Sequence, residues 1–536
     1  MSQAFSFSCR GGLNTNLNSL ELTGQPGFAT QLTNFEIDTD GGYRRINGFT
    51  AFGGASATRP EAGNPILGIY PYALGLVVVV GSSIYYSEDG ASWIQVNYDT
   101  GHSGVTEANL SSQTELDRPN QAVDQYPAQF VLTRAPTGHT SSLYGSLSIA
   151  TGKDEVAHFH IDGTGAGRLF VYEEITNPAA GQFIELHDKH LIIVDPDNAP
   201  STVYWSKTND DRDFTGTGSG AASIADKITG VKSFRDSLFI FCQNTIHRLD
   251  DINGTPVIVQ VTNNIGCLSA YSIQEIGGDL LFLSPDGIRT IAGTARIGDV
   301  ELSSVSRQIQ SIIGDIGKRV GDYQISSCVV RSKSQYRLFY SGIAQSRNSA
   351  RGIIGTFTGQ NFEWSETQGI QAFGLVSTLN YENDEIIYHG DKDGYIYNHD
   401  TGNSFLEDGV EQNIFATYET SDLDFGDIGT KKTLKYVKIS VSPEGEVDPT
   451  LRIRYDYKSS SIAQPADYSL AHVPLPAIFG TSLFGSAEFG GTNDPMVRQA
   501  VEGSGYTMSL RLRTDDKSFP YAINGFYIDY MPSGRR

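Results

Sequence analysis

The chain has 536 residues, is 39% hydrophobic and carries 27 Tyr, 27 Phe and 58 Gly, enough apolar material for a large core and enough Gly for many turns. Against 39 Lys and Arg stand 61 Asp and Glu, a formal charge of −22, and no Lys/Arg run forms the basic face with which proteins grip nucleic acid. The four cysteines, Cys9, Cys242, Cys267 and Cys328, form no CxxC pair, so neither a zinc site nor a disulfide framework is expected.

The opening, MSQAFSFSCRGG, lacks a basic segment followed by an apolar one, so no signal peptide is expected. Residues 1–55 run through a polar, Gly-rich stretch, Ser8-Cys-Arg-Gly-Gly-Leu-Asn-Thr-Asn, to an alternating strand, Leu32-Thr-Asn-Phe35-Glu-Ile37. Asp38-Thr-Asp-Gly-Gly follows, a hairpin signal. The simplest picture is an extended arm that ends in a hairpin and clips to its own body or to a neighbouring subunit.

From residue 56 to 405 one phrase recurs: a short apolar run, a Gly/Asp/Asn/Pro turn, then a second strand. It reads LVVVVGSSIYYSEDG from Leu76, HLIIVDPDNAPSTVYWSKTND from His190 and SLFIFCQNTIHRLDD from Ser237. It returns as DLLFLSPDGIRTIAG from Asp279 and EIIYHGDKDGYIYNHD from Glu385. Restarts at Leu191, Leu238, Leu280, Leu338 and Ile386 are roughly 40–60 residues apart, the period of a four-stranded propeller blade. The expected fold is all-β: a six- or seven-bladed β-propeller with an N-terminal extended arm and a C-terminal β-sandwich-like domain. Blades are predicted at about 66–96, 144–174, 181–214, 228–262, 273–304 and 324–402, the last long enough for two. Residues 97–143 read as a polar excursion from the ring. A ring must close, so strands from the chain ends are expected to matter. One helical pattern stands out, Val305-Ser-Arg-Gln-Ile309-Gln-Ser-Ile312-Ile313. The longest apolar stretch, residues 74–80, is too short to span a bilayer, so no membrane insertion is expected.

From about residue 406 to 536 the strands mostly alternate, as in Leu451-Arg-Ile-Arg-Tyr-Asp-Tyr457 and Tyr506-Thr-Met-Ser-Leu-Arg-Leu-Arg513, and read as a separate sandwich. A Pro- and Gly-rich loop, residues 473–496, interrupts them. Its Phe479, Phe484 and Phe489 either tuck under the sandwich or meet a partner.

Chemistry is sparse. Ser87-Glu-Asp-Gly-Ala-Ser-Trp93 looks like a degenerate Asp-box, a folding turn of sialidase-type blades rather than reactive machinery. His158-Phe-His160 places two imidazoles on one strand face, and His187-Asp-Lys-His190 places two at a turn; neither has an evident third ligand. The acidic turns at residues 38–42 and 391–394 resemble the start of a calcium loop, but the twelfth position is Phe49 in one and Gly402 in the other. The run Thr215-Gly-Thr-Gly-Ser-Gly220 does not lead from a strand into a helix, so it reads as a flexible loop and not a phosphate cradle. No nucleophile stands with a base and an oxyanion site. No catalytic residue, metal or cofactor is therefore expected, and the chain is read as no enzyme.

Several phrases, in order, carry a family resemblance. They are Arg10-Gly-Gly-Leu-Asn, Asn34 and Asp40-Gly-Gly-Tyr-Arg-Arg-Ile-Asn-Gly48 near the start. Trp205-Ser-Lys with Asp213-Phe, Ile228-Thr-Gly with Phe234-Arg-Asp-Ser-Leu-Phe-Ile-Phe-Cys242, Gly266-Cys-Leu-Ser and Phe282-Leu-Ser-Pro-Asp-Gly-Ile288 follow, and Ile523-Asn-Gly-Phe-Tyr-Ile-Asp-Tyr closes the series. Together they resemble the tail hub or nozzle proteins of short-tailed phages, including tubular tail proteins and packaged-DNA stabilisation proteins. The resemblance implies a structural virion protein of the tail, assembled in the host cytoplasm as a homo-hexameric ring around the DNA exit channel. It implies a tail adaptor or portal above and contacts to fibres or spikes, with DNA passing through an acidic bore without tight binding. Arg44 and Arg45 are expected to anchor the hairpin on carboxylates of the body or a neighbour; exposed charge beside a turn is the equal alternative. Two other readings stand beside this one: a carbohydrate-binding or glycoside-cleaving propeller, and a scaffold that holds a protein on the propeller face.

Overall fold

The structure is a computed structural model. It describes residues 2–39, 41–81, 83–96, 98–99, 105–106, 114–115, 127–134, 144–152, 155–162, 169–174, 180–291, 304–342, 344–359, 361–380, 382–470 and 496–535. It is built almost wholly of antiparallel strands.

The first blade shows why its sequence is a continuous apolar run. Strands Ile66–Tyr72, Gly75–Val80, Ser83–Ser87 and Ile94–Gln95 pair in order. Residues 76–80 are all buried, because each face of the second strand meets a different neighbour. Val77 and Val79 pack on Leu147 and Phe159 of the second blade, whereas Leu76, Val78 and Val80 cluster with Ile396 of the last. Side chains alternate across a strand. A strand pressed between two sheets is therefore apolar at every position. The fourth blade repeats the device: Leu238 and Ile240 face the third blade, Phe239 and Phe241 the fifth.

Six small sheets are arranged as blades of a β-propeller. After the first come those opening with Gln129–Thr133, Phe183–His187, Ile228–Phe234, Gln274–Ile276 and Leu375–Leu379. Between the last two, strands Gln324–Val330, Gln335–Ser341, Arg351–Phe357 and Phe362–Gln368 stand in the ring as a further, seventh blade, although they also belong to a nine-stranded sheet. The innermost strands of all seven line one central cavity of about 240 Å³. Residues 97–143 are thus not wholly an excursion: Gln129–Thr133 is the innermost strand of the second blade. Its sequence stands among polar segments, without the hairpin phrase that marks its neighbours. The ring is closed by the N-terminal region, whose Phe49–Ala51 pairs antiparallel with Ile396–His399.

The nine-stranded sheet continues outward from Phe362–Gln368 through Ala29–Thr33, Ile414–Thr420, Met508–Asp516 and Thr450–Tyr455 to Tyr468–Ser469. A second sheet faces it, with strands Phe35–Ile37, Tyr43–Arg45, Tyr521–Arg535, Thr430–Pro443 and Met496–Ala500 in order, and Gln3–Ser8 also beside Tyr521–Arg535. Tyr418, Ile453, Leu510 and Leu512 of one sheet and Val437, Ile439, Ile523 and Ile528 of the other form a single core. Strands from residues 1–55 and from 406–536 thus share both sandwich sheets, and one sheet is continuous with a propeller blade. The boundaries at 55 and 405 mark changes of sequence texture, not separate bodies. The predicted helical turn is a 3-10 turn, Arg307–Ile309, leading into helix Gln310–Lys318, which buries Ile309, Ile313 and Ile316 on the same core.

Candidate functional site

The densest chemistry lies where the N-terminal hairpin meets the blade strands Gln335–Ser341 and Ile396–His399. In Phe35–Ile37 the outer two side chains enter the sandwich core, so Glu36 points the other way, toward the propeller, and is 3% exposed. Gln335 and Arg337, two apart on one strand, share a face that meets it. Glu36 accepts from Arg44 Nη1 at 2.9 Å, Lys333 Nζ at 2.9 Å, Arg337 Nη2 at 3.1 Å and Gln335 Nε2 at 3.2 Å. Asp400 accepts from Arg337 Nη1 at 2.8 Å and Lys333 Nζ at 2.9 Å. Arg44 extends the network to the sandwich through two bonds to Glu444, at 2.6 and 2.9 Å.

Burial raises the Glu36 carboxyl, but Lys333, Arg337 and Arg44 outweigh it and hold the group below the usual carboxylate range, against the opposing charge of Asp400. Burial likewise opposes ionisation of Asp400, and Arg337, Lys333 and His399 hold its carboxyl well below that range. Arg44, Lys333 and Arg337 balance Glu36, Asp400 and Glu444 in charge. The cavity beside them, about 450 Å³, has Glu36, Arg44, Lys333, Gln335 and Asp400 in its lining, with Val330, Ile386 and Ile387. This arrangement fastens three parts of the chain together.

Arg45 turns to the opposite face and is wholly buried. Its guanidinium donates to the carbonyls of Asp516, at 2.8 Å, and Ser518, and lies 3.3 Å from the Asp516 carboxylate. Both arginines of the hairpin therefore contact strands or turns of the sandwich within the same chain. Phe479, Phe484 and Phe489 lie outside the described residues.

The other sequence candidates have local roles. Asp89 accepts from the N–H groups of Ala91 and Ser92 and Trp93 donates to the Thr58 carbonyl, so the Asp-box-like phrase builds a turn. His158 sits 3.1 Å from Ser148 Oγ and 3.3 Å from Asp211; His160 lies 3.7 Å from Asp162. His187 Nδ1 bonds Ser233 Oγ, and His190 bonds the Ser206 carbonyl and Asn253. Asp391, of the second calcium-like turn, contacts Arg347, accepts from Tyr397 Oη at 3.0 Å and also accepts from the N–H of Asp393 and Tyr395. In the Gly-rich run, Asp213 accepts from the N–H of Thr215 and Gly216. Among the described residues no group of three His, Cys, Asp or Glu is placed to hold a metal, and no helix is long and apolar enough to cross a membrane. Burial pushes all four cysteine thiols up to about 12, which keeps them protonated and unreactive at neutral pH.

No family model matches the sequence, and no curated protein matches it. Among solved structures, the extracellular domain of a hybrid two-component system protein from B. thetaiotaomicron aligns at 10% identity and a TM-score of 0.34, covering 69% of this chain and 44% of that one, so less than half of that neighbour's length is spanned. Hsv2 of Kluyvelomyces marxianus aligns at 10% identity and 0.26, covering 57% and 99%. The AfRom2 CNH domain aligns at 12% and 0.34, covering 65% and 99%. Likenesses this weak carry no functional argument.

Proposed function

We propose that the chain is a non-enzymatic structural subunit of a short-tailed bacteriophage tail. It forms a homo-hexameric hub or nozzle ring around the DNA exit channel, below an adaptor or portal and in contact with fibres or spikes.

The observation that supports this reading is where the family-like phrases lie. Those of the first 48 residues and that of residues 523–530 are at opposite ends of the sequence, yet they pack on one another. Tyr43 registers with Ile523 and Arg44 with Ala522. Cys9 N donates to the Asn524 carbonyl at 3.0 Å, and Asn34 Nδ2 donates to the carbonyls of Gln368 and Phe415. Phrases shared for an architectural reason belong at such a weld, which makes one body of sandwich and propeller.

The propeller's own cavity, about 240 Å³, cannot be the DNA channel, since the major groove of a duplex is by itself about 12 Å wide. In this reading the channel lies between subunits, and a charge of −22 on each keeps phosphates from adhering to its wall. Light scattering tests the assembly: the expected mass is about six times 58.2 kDa, for the chain alone or once bound to its adaptor. A stable monomer that hydrolyses a glycoside would sink the reading.

A further inference from the structure

Among the described residues, two sheet edges of opposite charge are open. The first ends the sheet of the last blade. Phe405–Glu407 and Val410–Gln412 form a hairpin there, and no strand pairs with the outer side of Val410–Gln412. The base of the hairpin is packed through Phe405, yet residues 408–413 are all exposed, Val410 by 59%. A two-stranded hairpin is marginal in water by itself, and an open edge presents unpaired N–H and C=O groups, so this one is built to receive a strand. Asp408 and Glu411 make it acidic. Lys517 lies 3.8 Å from Glu411, a long surface contact that contributes little.

The second edge is Met496–Ala500. It is the outermost strand of the sandwich sheet, at the end away from Phe35–Ile37 and the propeller. Arg498 on it is exposed, has no ion pair among the described residues and lies 3.8 Å over the Tyr436 ring. Lys438 registers with Arg498 and holds Asp529 at 3.2 Å, so the carboxylate beside this edge is already engaged. Lys435 is a further exposed cation on the neighbouring strand. Strand addition takes its affinity from main-chain hydrogen bonds and its specificity from side chains. Here the side chains select the partner. Two copies of a chain with a charge of −22 repel unless unlike patches meet, and these two edges are such patches. Because the edges differ, their contact is head-to-tail, the kind that closes rings.

We propose that the Val410–Gln412 edge of one copy adds to the Met496–Ala500 edge of the next, with Glu411 facing Arg498. The inference rests on the ring assembly proposed above and names its contact. Sedimentation velocity on the full chain, across a concentration series, tests it. Glu411→Lys and Arg498→Glu are each expected to weaken self-association about tenfold or more, since each sets like charges opposite one another. The two together exchange the charges and are expected to restore it. Glu411→Lys, on an exposed hairpin, keeps the test valid if the Arg498 variant does not fold. Association unaltered by the folded single variants overturns the contact and leaves the ring standing. A double variant that associates no better than the single ones also overturns the pairing. So does a parent chain that stays monomeric throughout, because this contact needs no third protein; the mass of the adaptor-bound complex then reads the ring separately.

Discussion

Arg337 shows how much one residue carries in this molecule. It is 1% exposed and bonds both Glu36 and Asp400, so its removal leaves buried Asp400 without its main partner and buried Glu36 with one cation fewer. Arg337→Met is expected to cost about 3–5 kcal/mol, the range for breaking a buried pair from one side. Lys333→Met, at a side chain 32% exposed, is expected to cost much less. Denaturant midpoints check both, and an Arg337 variant within about 1 kcal/mol of the parent would show that the network holds nothing. Gly48 is constrained sterically: a Cβ there would lie 1.8 Å from the Ser404 carbonyl oxygen. Gly48→Ala must push apart the strand that closes the ring, and a melting temperature several degrees lower is expected; an unchanged one refutes the close approach. None of this was legible from local sequence. Glu36 lies 301 positions from Arg337 and 297 from Lys333, and a charged residue between two apolar ones reads as an ordinary alternating strand. Arg44 and Arg45 could be singled out because they stand beside a hairpin signal, but their different partners, a carboxylate pair for one and backbone carbonyls for the other, follow from opposite strand faces.

At the scale of elements, the hairpins were readable for a physical reason. A blade's second strand is covered on both faces, so runs such as residues 76–80 are apolar throughout and bounded by turns. Innermost strands are less distinct, since one side faces the central cavity and admits Gln129, Glu185, Lys232 and Gln274. The N-terminal segment contributes strands to both sandwich sheets and the closing strand Phe49–Ala51 to a blade. A chain lacking residues 1–51 is therefore expected to lose cooperative folding of the propeller as well as the sandwich. A sharp thermal transition with native-like near-ultraviolet dichroism in that truncated chain would contradict it.

For the whole molecule, acid should loosen the join between hairpin and propeller. His389 and His399 are buried with their Nδ1 atoms 3.2 Å apart, among Asp400, Arg337, Lys333, Glu36 and Arg347. Burial, helped by Arg337 and Lys333 and opposed by Asp400, lowers His399 from 6.5 to about 4; burial, His399 and Arg347 lower His389 well below its ordinary value. The unfolded chain then takes up protons that the folded one refuses. Stability is full above about pH 6.5 and falls as pH drops toward about 4, with His399 alone contributing on the order of 3 kcal/mol. Below that, protonation of Glu36 and Asp400, whose folded-state values are depressed, removes more. Thermal melts across this range check the sign; a melting temperature that rises on acidification to pH 4 would reverse it.

Composition and period by themselves determined the fold class. The strands are short, the turns frequent and the apolar runs repeat at blade spacing, and these are local consequences of burial between neighbouring sheets. Tertiary structure alone decided which strands share a sheet and which charges meet. Those outcomes depend on contacts across hundreds of residues: Gln3–Ser8 beside Tyr521–Arg535, Phe49–Ala51 beside Ile396–His399, and Glu36 beside Arg337. A side chain's neighbour along the strand constrains only its face. Its partner is set by the path of the whole chain.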